Sequence, residues 1–187
     1  MKNKKGLSAI VATVGLVLIT FSAVALIAGF VVPYVNERIK STECFPYRDY
    51  FYFEEDNGYN CYDKSAPEYN LYAFSVGISS TDKKEQENVR GFRVAFLKEG
   101  EAVIADVKSG DSQNFDSGGV SMLGGLSGET IVIPKVGEVK TYVYKSTKVD
   151  YNTAQIFAII GEGKVCEVSD SIKIGSFSCA SLNLEIP

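Results

Sequence analysis

The chain has 187 residues, with 19 lysines and arginines against 23 aspartates and glutamates, and it contains no histidine. Without histidine, Ser-His-Asp and Cys-His catalysis and most catalytic zinc sites are excluded. The mildly acidic balance argues against nucleic-acid binding, which needs basic surface patches. No nucleophile motif and no pair of carboxylates with acid–base spacing stands out, so the sequence predicts a non-enzymatic protein without a cofactor.

The first predicted element is an apolar helix at the N-terminus. Three lysines lie within the first five residues, and after Gly6 an uncharged run of 26 residues extends from Leu7 to Val32. A helix of that length is about 39 Å long, enough to cross a hydrocarbon core of about 30 Å. Pro33 lacks an amide hydrogen and disfavours helical conformation at Val32, so a kink or an end is expected there. Residues 34–40 are expected to resume the helix as an amphipathic extension.

Three interpretations of this segment compete. A secretory signal peptide would be cleaved after Ala25, but the apolar run continues seven residues beyond that point, where such peptides have normally ended. A signal anchor would keep the lysines on the cytoplasmic side and export the rest of the chain. The third interpretation places a processing site before the apolar run, between Gly6 and Leu7.

The third interpretation depends on the motif Lys4-Lys5-Gly6-Leu7-Ser8. This motif resembles the class III signal peptide of archaeal type IV pilins and pilin-like proteins, in which a short basic leader ends in Lys-Gly or Arg-Gly. The resemblance implies that a prepilin peptidase removes residues 1–6 and leaves Leu7 as the new N-terminus. Bacterial type IV pilins usually carry glutamate at the fifth mature position, which is Val11 here, so the resemblance is to the archaeal proteins.

The resemblance also implies how the mature chain would be used. Residues 7–40 would form a helix that leaves the membrane and associates with the helices of other copies in an extracellular filament, whose family functions include adhesion and surface contact. Ala25 and Gly29 form a pair of small residues four positions apart, a spacing that lets helices approach closely. Before assembly, the N-terminus would be cytoplasmic and the remainder of the chain would be outside the membrane.

Four cysteines predict two disulfides, because an even number in an exported chain is typical of a disulfide framework. They are Cys44, Cys61, Cys166 and Cys179. The local pairing, Cys44–Cys61 with Cys166–Cys179, is favoured because the members of each pair are close in sequence, and the two other pairings stay open. A metal site made by all four is disfavoured because no gap has the close spacing of zinc ribbons.

Alternating apolar and polar residues predict a β domain over residues 41–187. About ten short strands separated by turns predict an all-β antiparallel sandwich, immunoglobulin-like in shape, after the long N-terminal helix. Asp56-Asn57-Gly58 predicts a hairpin turn, and residues 80–88 and 109–128 predict loops. The predicted strands are 48–53, 59–62, 69–79, 89–98, 102–107, 119–122, 129–133, 138–144, 154–160 and 164–168, with a short run at 172–174.

Nine aromatic residues lie between Tyr47 and Tyr72. If exposed, they would offer a contact surface to other subunits, to carbohydrate or to a cell surface. The candidate interaction residues are Tyr50, Tyr52, Tyr59 and Tyr62. The alternative is that these aromatics fill the core of the sandwich.

Taken together, the sequence favours a structural subunit of an archaeal type IV pilus-like filament. Its expected partners are further copies of itself, the membrane during biogenesis and a prepilin peptidase. The alternative is a monomeric, membrane-anchored β-sandwich that binds a ligand outside the cell. The two differ in whether the leader is removed and whether the helix self-associates.

Overall fold

The computed structural model of the chain describes residues 5–31, 43–56, 59–64, 66–116, 118–126, 128–147, 149–174 and 179. The chain divides into two compact units, Met1–Glu43 and Cys44–Pro187. Each unit is described by itself.

The first unit contains helix α1, Lys5–Leu26, followed by one π-helical turn, Ile27–Val31. This π-helical turn ends at Val31, two residues before Pro33 in the sequence. In a regular α-helix the ring of a proline collides with the carbonyl group four residues earlier, here that of Gly29. The extension predicted for residues 34–40 lies outside the described residues.

The second unit is built from two antiparallel sheets, which confirms the predicted sandwich after an N-terminal helix. In sheet A, β3 pairs with β1 and β2 on one side and with β7 on the other, and β7 pairs with β6. In sheet B, the order is β5-β4-β8-β9. The strands of sheet A are β1 Phe51–Phe53, β2 Cys61–Asp63, β3 Tyr69–Ile78, β6 Val120–Met122 and β7 Val139–Thr147; those of sheet B are β4 Val89–Lys98, β5 Glu101–Lys108, β8 Thr153–Ile160 and β9 Lys164–Lys173.

Aromatic rings fill the space between the two sheets. One face of each of β3, β4, β7 and β8 points into this space, and β3 is buried at nine of its ten residues. Phe96 of β4 stacks on Tyr144 of β7 with ring centroids 4.6 Å apart. Phe92 meets Tyr142 edge-on at 5.1 Å. These contacts join sheet B to sheet A through the centre of the domain.

Two of the strand predictions differ from the structure. Residues 129–133 do not form a strand and make only an isolated bridge, between Ser112 and Thr130. The two runs predicted at 164–168 and 172–174 are one continuous strand, β9. Its register shifts opposite Ile156 and Phe157, so the alternation in sequence is interrupted although the strand is not.

A short helix, α2 (Lys83–Asn88), replaces part of the loop predicted between β3 and β4. The side chain of Asp82 caps it by accepting a hydrogen bond from the Lys84 amide at 2.8 Å. Asp is a favoured residue at this position, and Glu85 lies in the first turn, where a negative charge is stabilising. The helix has no buried residue, so it carries no apolar periodicity that would identify it in the sequence.

The hairpin predicted at Asp56-Asn57-Gly58 is wrong, because β1 and β2 both pair with β3 and not with each other. Phe53 pairs with Val76 and Cys61 with Ala73, so β1 and β2 lie one after the other along the same edge of β3. Ser75 holds the segment between them: its hydroxyl accepts from the Tyr59 amide at 2.7 Å and its amide donates to the Asn60 side chain at 3.0 Å. Residues 57 and 58 themselves lie outside the described residues.

The predicted local disulfide pairing is also wrong. Cys44 is bonded to Cys166 and Cys61 to Cys179, with sequence separations of 122 and 118 residues. The reason is topological, since β1 contacts β9 of the other sheet and the chain after β9 returns to β2. Proximity in sequence therefore did not decide which cysteines meet.

Candidate functional site

Helix α1 is the candidate site for assembly, because its apolar surface has no partner within its own unit. Every described side chain from Val11 to Leu26 is exposed, apart from the position of Gly15. Among the described residues one helical segment, Val11–Gly29, is long and apolar enough to cross a membrane. A helix that is apolar around its whole circumference is stable in lipid or inside a larger assembly, and not as an isolated helix in water.

Two polar side chains of this helix, those of Thr20 and Ser22, are hydrogen-bonded within the helix. The hydroxyl of Thr20 donates to the carbonyl of Val17 at 2.8 Å, and that of Ser22 donates to the carbonyl of Leu18 at 2.8 Å. In a surrounding without water an unpaired hydroxyl is costly, so bonding to the preceding turn removes that cost. These two groups can therefore enter lipid or a bundle of helices.

Small residues leave open positions on the surface of the helix. A side chain added at Gly15 or at Gly29 would meet no atom of this chain within 4 Å. Ala25 lies four residues, about one turn, before Gly29. Such a pair lets the backbone of a second helix approach closely. The predicted processing bond between Gly6 and Leu7 lies in the first turn of α1, which begins at Lys5.

The aromatic candidates of the sandwich separate into core and surface. Tyr50 is fully buried, so its proposed role as a contact residue is wrong, and burial raises the pKa of its phenol to about 12. Tyr52 and Tyr62 are half-buried, and a side chain at Gly77 would collide with the ring of Tyr52. Tyr59 is the exposed member of the four candidates.

Most of the nine aromatics between Tyr47 and Tyr72 belong to the core, as the alternative interpretation expected. Tyr59 is left exposed. The centroid of the Tyr62 ring lies 4.6 Å from the Lys64 amine. The buried members are Tyr47, Tyr50, Phe51, Phe53 and Tyr72.

A seam between β1 and β9, which the sequence analysis missed, fastens the start of the domain to the edge of sheet B. The Phe53 amide donates to the Asp170 carboxylate at 2.8 Å, and the Ser169 hydroxyl donates to the Tyr47 carbonyl at 2.9 Å. The Cys44–Cys166 disulfide lies in the same seam. It joins the first residue of the second unit covalently to β9. In the sequence, Cys44 and Cys166 could have indicated this seam, but only if their pairing had been known.

A groove of about 390 Å³ lies beside β5 and β6, on the opposite side of the sandwich from this seam. Asp106, which lines it, accepts two hydrogen bonds from Arg93 at 2.6 and 2.9 Å, and this pairing lowers the pKa of its carboxyl group. Within the part of the chain that the structure describes, no three His, Cys, Asp or Glu residues are grouped so that they could hold a metal ion.

Comparison with known proteins adds no relative. A scan against protein-family models, a search of curated proteins and a search of solved structures each found no match. The resemblance of the N-terminal segment to archaeal pilins therefore stays a prediction from the sequence.

Proposed function

We propose that this chain is a structural subunit of an archaeal type IV pilus-like extracellular filament. A prepilin peptidase removes residues 1–6, and the helix that begins at Leu7 packs against the helices of other copies, with the β-sandwich outside. The observation that carries the proposal is the helix itself, which is apolar on all sides and in which the hydroxyls of Thr20 and Ser22 are hydrogen-bonded to the preceding turn. The function is adhesion or surface contact.

The leader is charged and favours water, whereas the helix that follows it is apolar and favours lipid or other helices. The three lysines of the leader resist transfer into hydrocarbon and hold the precursor at the cytoplasmic face. Once they are removed, the remaining helix carries no charge up to Val32. Helices in lipid gain little from apolar burial alone, so their association depends on close packing at small residues. Ala25 and Gly29 supply such a position.

The disulfides support an extracellular location for the sandwich. Disulfides form and persist in oxidising surroundings. In the chain-entropy model, which is debated, closing a loop of more than 100 residues stabilises a domain by about 4–5 kcal/mol. Both bonds here close loops of that size. They suit a domain that must stay folded outside the cell without chaperones.

A second candidate function is a monomeric, membrane-anchored binding module. The exposure of Tyr59 favours it, because an exposed tyrosine offers a contact surface to a ligand. In this case the lysines would be retained as the cytoplasmic flank of an anchor, and the helix would have no need to self-associate.

The N-terminus of the mature protein decides between these functions. We expect mass spectrometry, after expression in a host that has a prepilin peptidase, to find a chain that begins at Leu7. Gly6→Val should retain the leader. Gly15→Val makes the same change where an added side chain meets no atom within 4 Å, and it should be processed normally.

Other outcomes point elsewhere. A wild-type chain that retains residues 1–6 would contradict pilin-type processing and leave the anchored module. Cleavage after Ala25 would mean a secreted domain and would contradict both functions. If Leu7 is the N-terminus, electron microscopy of sheared cell-surface material should show filaments for the wild type and none for Gly6→Val.

A further inference from the structure

Strand β5 is an edge of sheet B, and half of its backbone groups point outward from that edge. The amide of Ser109, directly after β5, donates to the carbonyl of Arg90 opposite it at 3.1 Å. In an antiparallel ladder, residues that exchange hydrogen bonds with their partner alternate with residues that do not. Because β4 and β5 keep one register throughout, the odd-numbered residues of β5 bond to β4. The amides and carbonyls of Ala102, Ile104 and Asp106 therefore point away from β4.

These outward backbone groups have no hydrogen-bond partner within the part of the chain that the structure describes. Open space adjoins them, since Ile104, Ala105 and Asp106 line the groove of about 390 Å³. The side chain of Ile104 is 57% exposed. An unpaired strand edge is a template on which a further extended chain adds as the next strand. The edge of β5 is thus a binding surface for an extended strand.

The other described edge strands are short, irregular or covered. At the far side of sheet B, the register of β9 shifts against β8, and Asp170 of β9 accepts from the Phe53 amide. In sheet A, β1, β2 and β6 have three residues each, and the Val120 carbonyl of β6 accepts from the Asn114 amide. Such features prevent edge-to-edge pairing of sheets. Strand β5 has eight residues, one unbroken register and no proline.

A second copy of β5 has the geometry to fill this edge. Antiparallel pairing about a two-fold axis at Ile104 places each Ile104 opposite its own copy. The same pairing places Ala102 of one chain opposite Asp106 of the other. All of these residues have outward backbone groups, so each pair exchanges two hydrogen bonds. The exposed side chains of the two Ile104 residues then cover each other.

The charges along β5 favour antiparallel pairing with a second copy. Glu101 begins the strand and Lys108 ends it, and the residues between them are apolar except for Asp106. Antiparallel pairing brings the acidic end of one strand to the basic end of the other, whereas parallel pairing would align like charges. Asp106 adds little repulsion, because its carboxylate accepts two hydrogen bonds from Arg93 of the same sheet.

We propose that two copies of this chain associate through their β5 edges, which joins the two copies of sheet B into one continuous sheet. Ala102, Ile104 and Asp106 of each chain make the contact. Since a two-fold contact closes on itself, it cannot by itself build a filament and is separate from the packing of α1. The contact involves one strand of each chain, so we expect a weak and reversible pair. The inference goes beyond the proposed function and does not depend on filament assembly.

Cysteine cross-linking of the full-length chain in detergent micelles tests the pairing and its register. Ile104→Cys places two thiols opposite each other, with Cα atoms about 5.5 Å apart, which is within the range of a disulfide. We expect a covalent dimer under mild oxidation. Ala102→Cys is the matched control at another exposed position of the same strand. Its two copies would be about 14 Å apart along the strands, so it should give at least tenfold less dimer.

Two outcomes of this experiment would overturn the proposal. If Ile104→Cys gives no dimer, the β5 edges do not meet. If Ile104→Cys and Ala102→Cys give equal amounts of dimer, the chains collide at random and have no fixed register.

Gly29→Leu separates this contact from association through α1. The added side chain meets no atom of the chain within 4 Å and fills the gap at which a second helix would approach. In the double variant Ile104→Cys with Gly29→Leu, we expect the same yield of covalent dimer as for Ile104→Cys alone. A yield that falls several-fold would show that the β5 edges meet only as a result of helix packing and would overturn the proposal. Failure of the proposed filament assembly would leave this yield unchanged.

Hydrogen exchange tests the backbone bonds in the unsubstituted chain. The Ile104 amide should exchange several-fold more slowly in concentrated than in dilute solution, because pairing protects it only when two chains meet. The Ala105 amide is bonded to β4 in the single chain and should exchange equally slowly in both solutions. Residue-resolved NMR measures both amides. An Ile104 amide that exchanges at the same rate at all concentrations at which Ile104→Cys forms dimers would contradict pairing through β5.

Discussion

Aromatic side chains provide most of the packing between the two sheets. Phe96 is the centre of this packing, since its ring contacts Tyr72, Tyr144 and Tyr151 with centroids 4.6–6.1 Å apart. It comes from sheet B, whereas Tyr72 and Tyr144 come from sheet A. Loss of this one ring therefore removes contacts that join sheet B to sheet A.

Phe96→Ala should destabilise the sandwich by about 3–5 kcal/mol, because it removes buried area and leaves a cavity between the sheets. The matched control is Phe45→Ala, at a side chain that is 75% exposed, which should change stability by less than about 0.5 kcal/mol. Denaturant unfolding followed by tyrosine fluorescence measures both. Equal effects of the two substitutions would contradict the packing described for Phe96.

The Arg93–Asp106 pair makes stability depend on acid pH. Pairing with the guanidinium, partly opposed by burial, lowers the pKa of the Asp106 carboxyl below its ordinary value. A carboxyl whose pKa is lowered on folding contributes stability above its unfolded pKa of about 4, and this contribution is lost as the pH falls through the folded pKa. Because both groups are about one-third exposed, the contribution is expected to be at most about 1 kcal/mol.

Asp106→Asn should therefore lower stability at neutral pH and flatten the loss of stability below about pH 4. Arg93→Gln should flatten the same part of the profile, because it removes the partner. Thermal unfolding of the wild type and both variants between pH 2 and 7 measures this. A wild-type profile that runs parallel to both variants would show that the pair has no linked titration.

At the scale of elements, helix α1 carries the proposed assembly and the sandwich strands carry the fold. α1 makes no use of its apolar surface within its own unit, whereas β3, β4, β7 and β8 each bury one face in the core. The same alternation explains why the strands were predictable. Interrupted elements were harder to predict: β1 and β2 pair one after the other with the same edge of β3 and not with each other.

Gly29→Leu should weaken self-association of the detergent-solubilised chain several-fold, because it fills the position at which a second backbone would approach. Folding of the single chain should not suffer, since an added side chain meets no atom of the chain within 4 Å. Val24→Leu is the control, because it also places leucine at an exposed position but fills no gap. Sedimentation equilibrium measures the association. An unchanged dissociation constant for Gly29→Leu would exclude close packing at this site.

At the scale of the whole molecule, the disulfides connect parts of the chain that lie far apart in sequence. Cys44, at the start of the second unit, is joined to β9, and Cys61 of β2 is joined to the C-terminal segment. Both ends of the domain are thereby fixed to strands of the sandwich. Local pairing would have closed only two short loops and would have joined neither Cys44 to β9 nor Cys61 to Cys179.

Trypsin digestion without reduction tests the pairing, because lysine and arginine residues place the four cysteines in four different peptides: 41–48, 49–64, 165–173 and 174–187. We expect 41–48 linked to 165–173 and 49–64 linked to 174–187. Replacing Cys44 and Cys166 together by alanine should cost about 4–5 kcal/mol in the chain-entropy model and leave the second link intact. A link between 41–48 and 49–64 would contradict the fold at the β1–β9 seam.

The sequence by itself determined the apolar helix, the all-β class of the domain and the approximate position of most strands. These features have periods of two to four residues, so each is visible in a short window. The number of disulfides followed in the same way from the even count of cysteines. The acidic net charge argued against nucleic-acid binding, and the lack of histidine excluded histidine-dependent catalysis, before any fold was known.

Only the tertiary structure decided which cysteines pair and which aromatic side chains are buried. Cys44 meets Cys166 because β1 lies beside β9 of the other sheet, and the ring of Tyr50 is buried against Tyr47 and Phe51. That neighbourhood results from the order of strands in the two sheets, which is set by pairings such as Tyr69 with Thr147 and Val89 with Ile160, 78 and 71 positions apart in sequence. No local pattern carries this information, since the same alternation of residues fits any order of the strands.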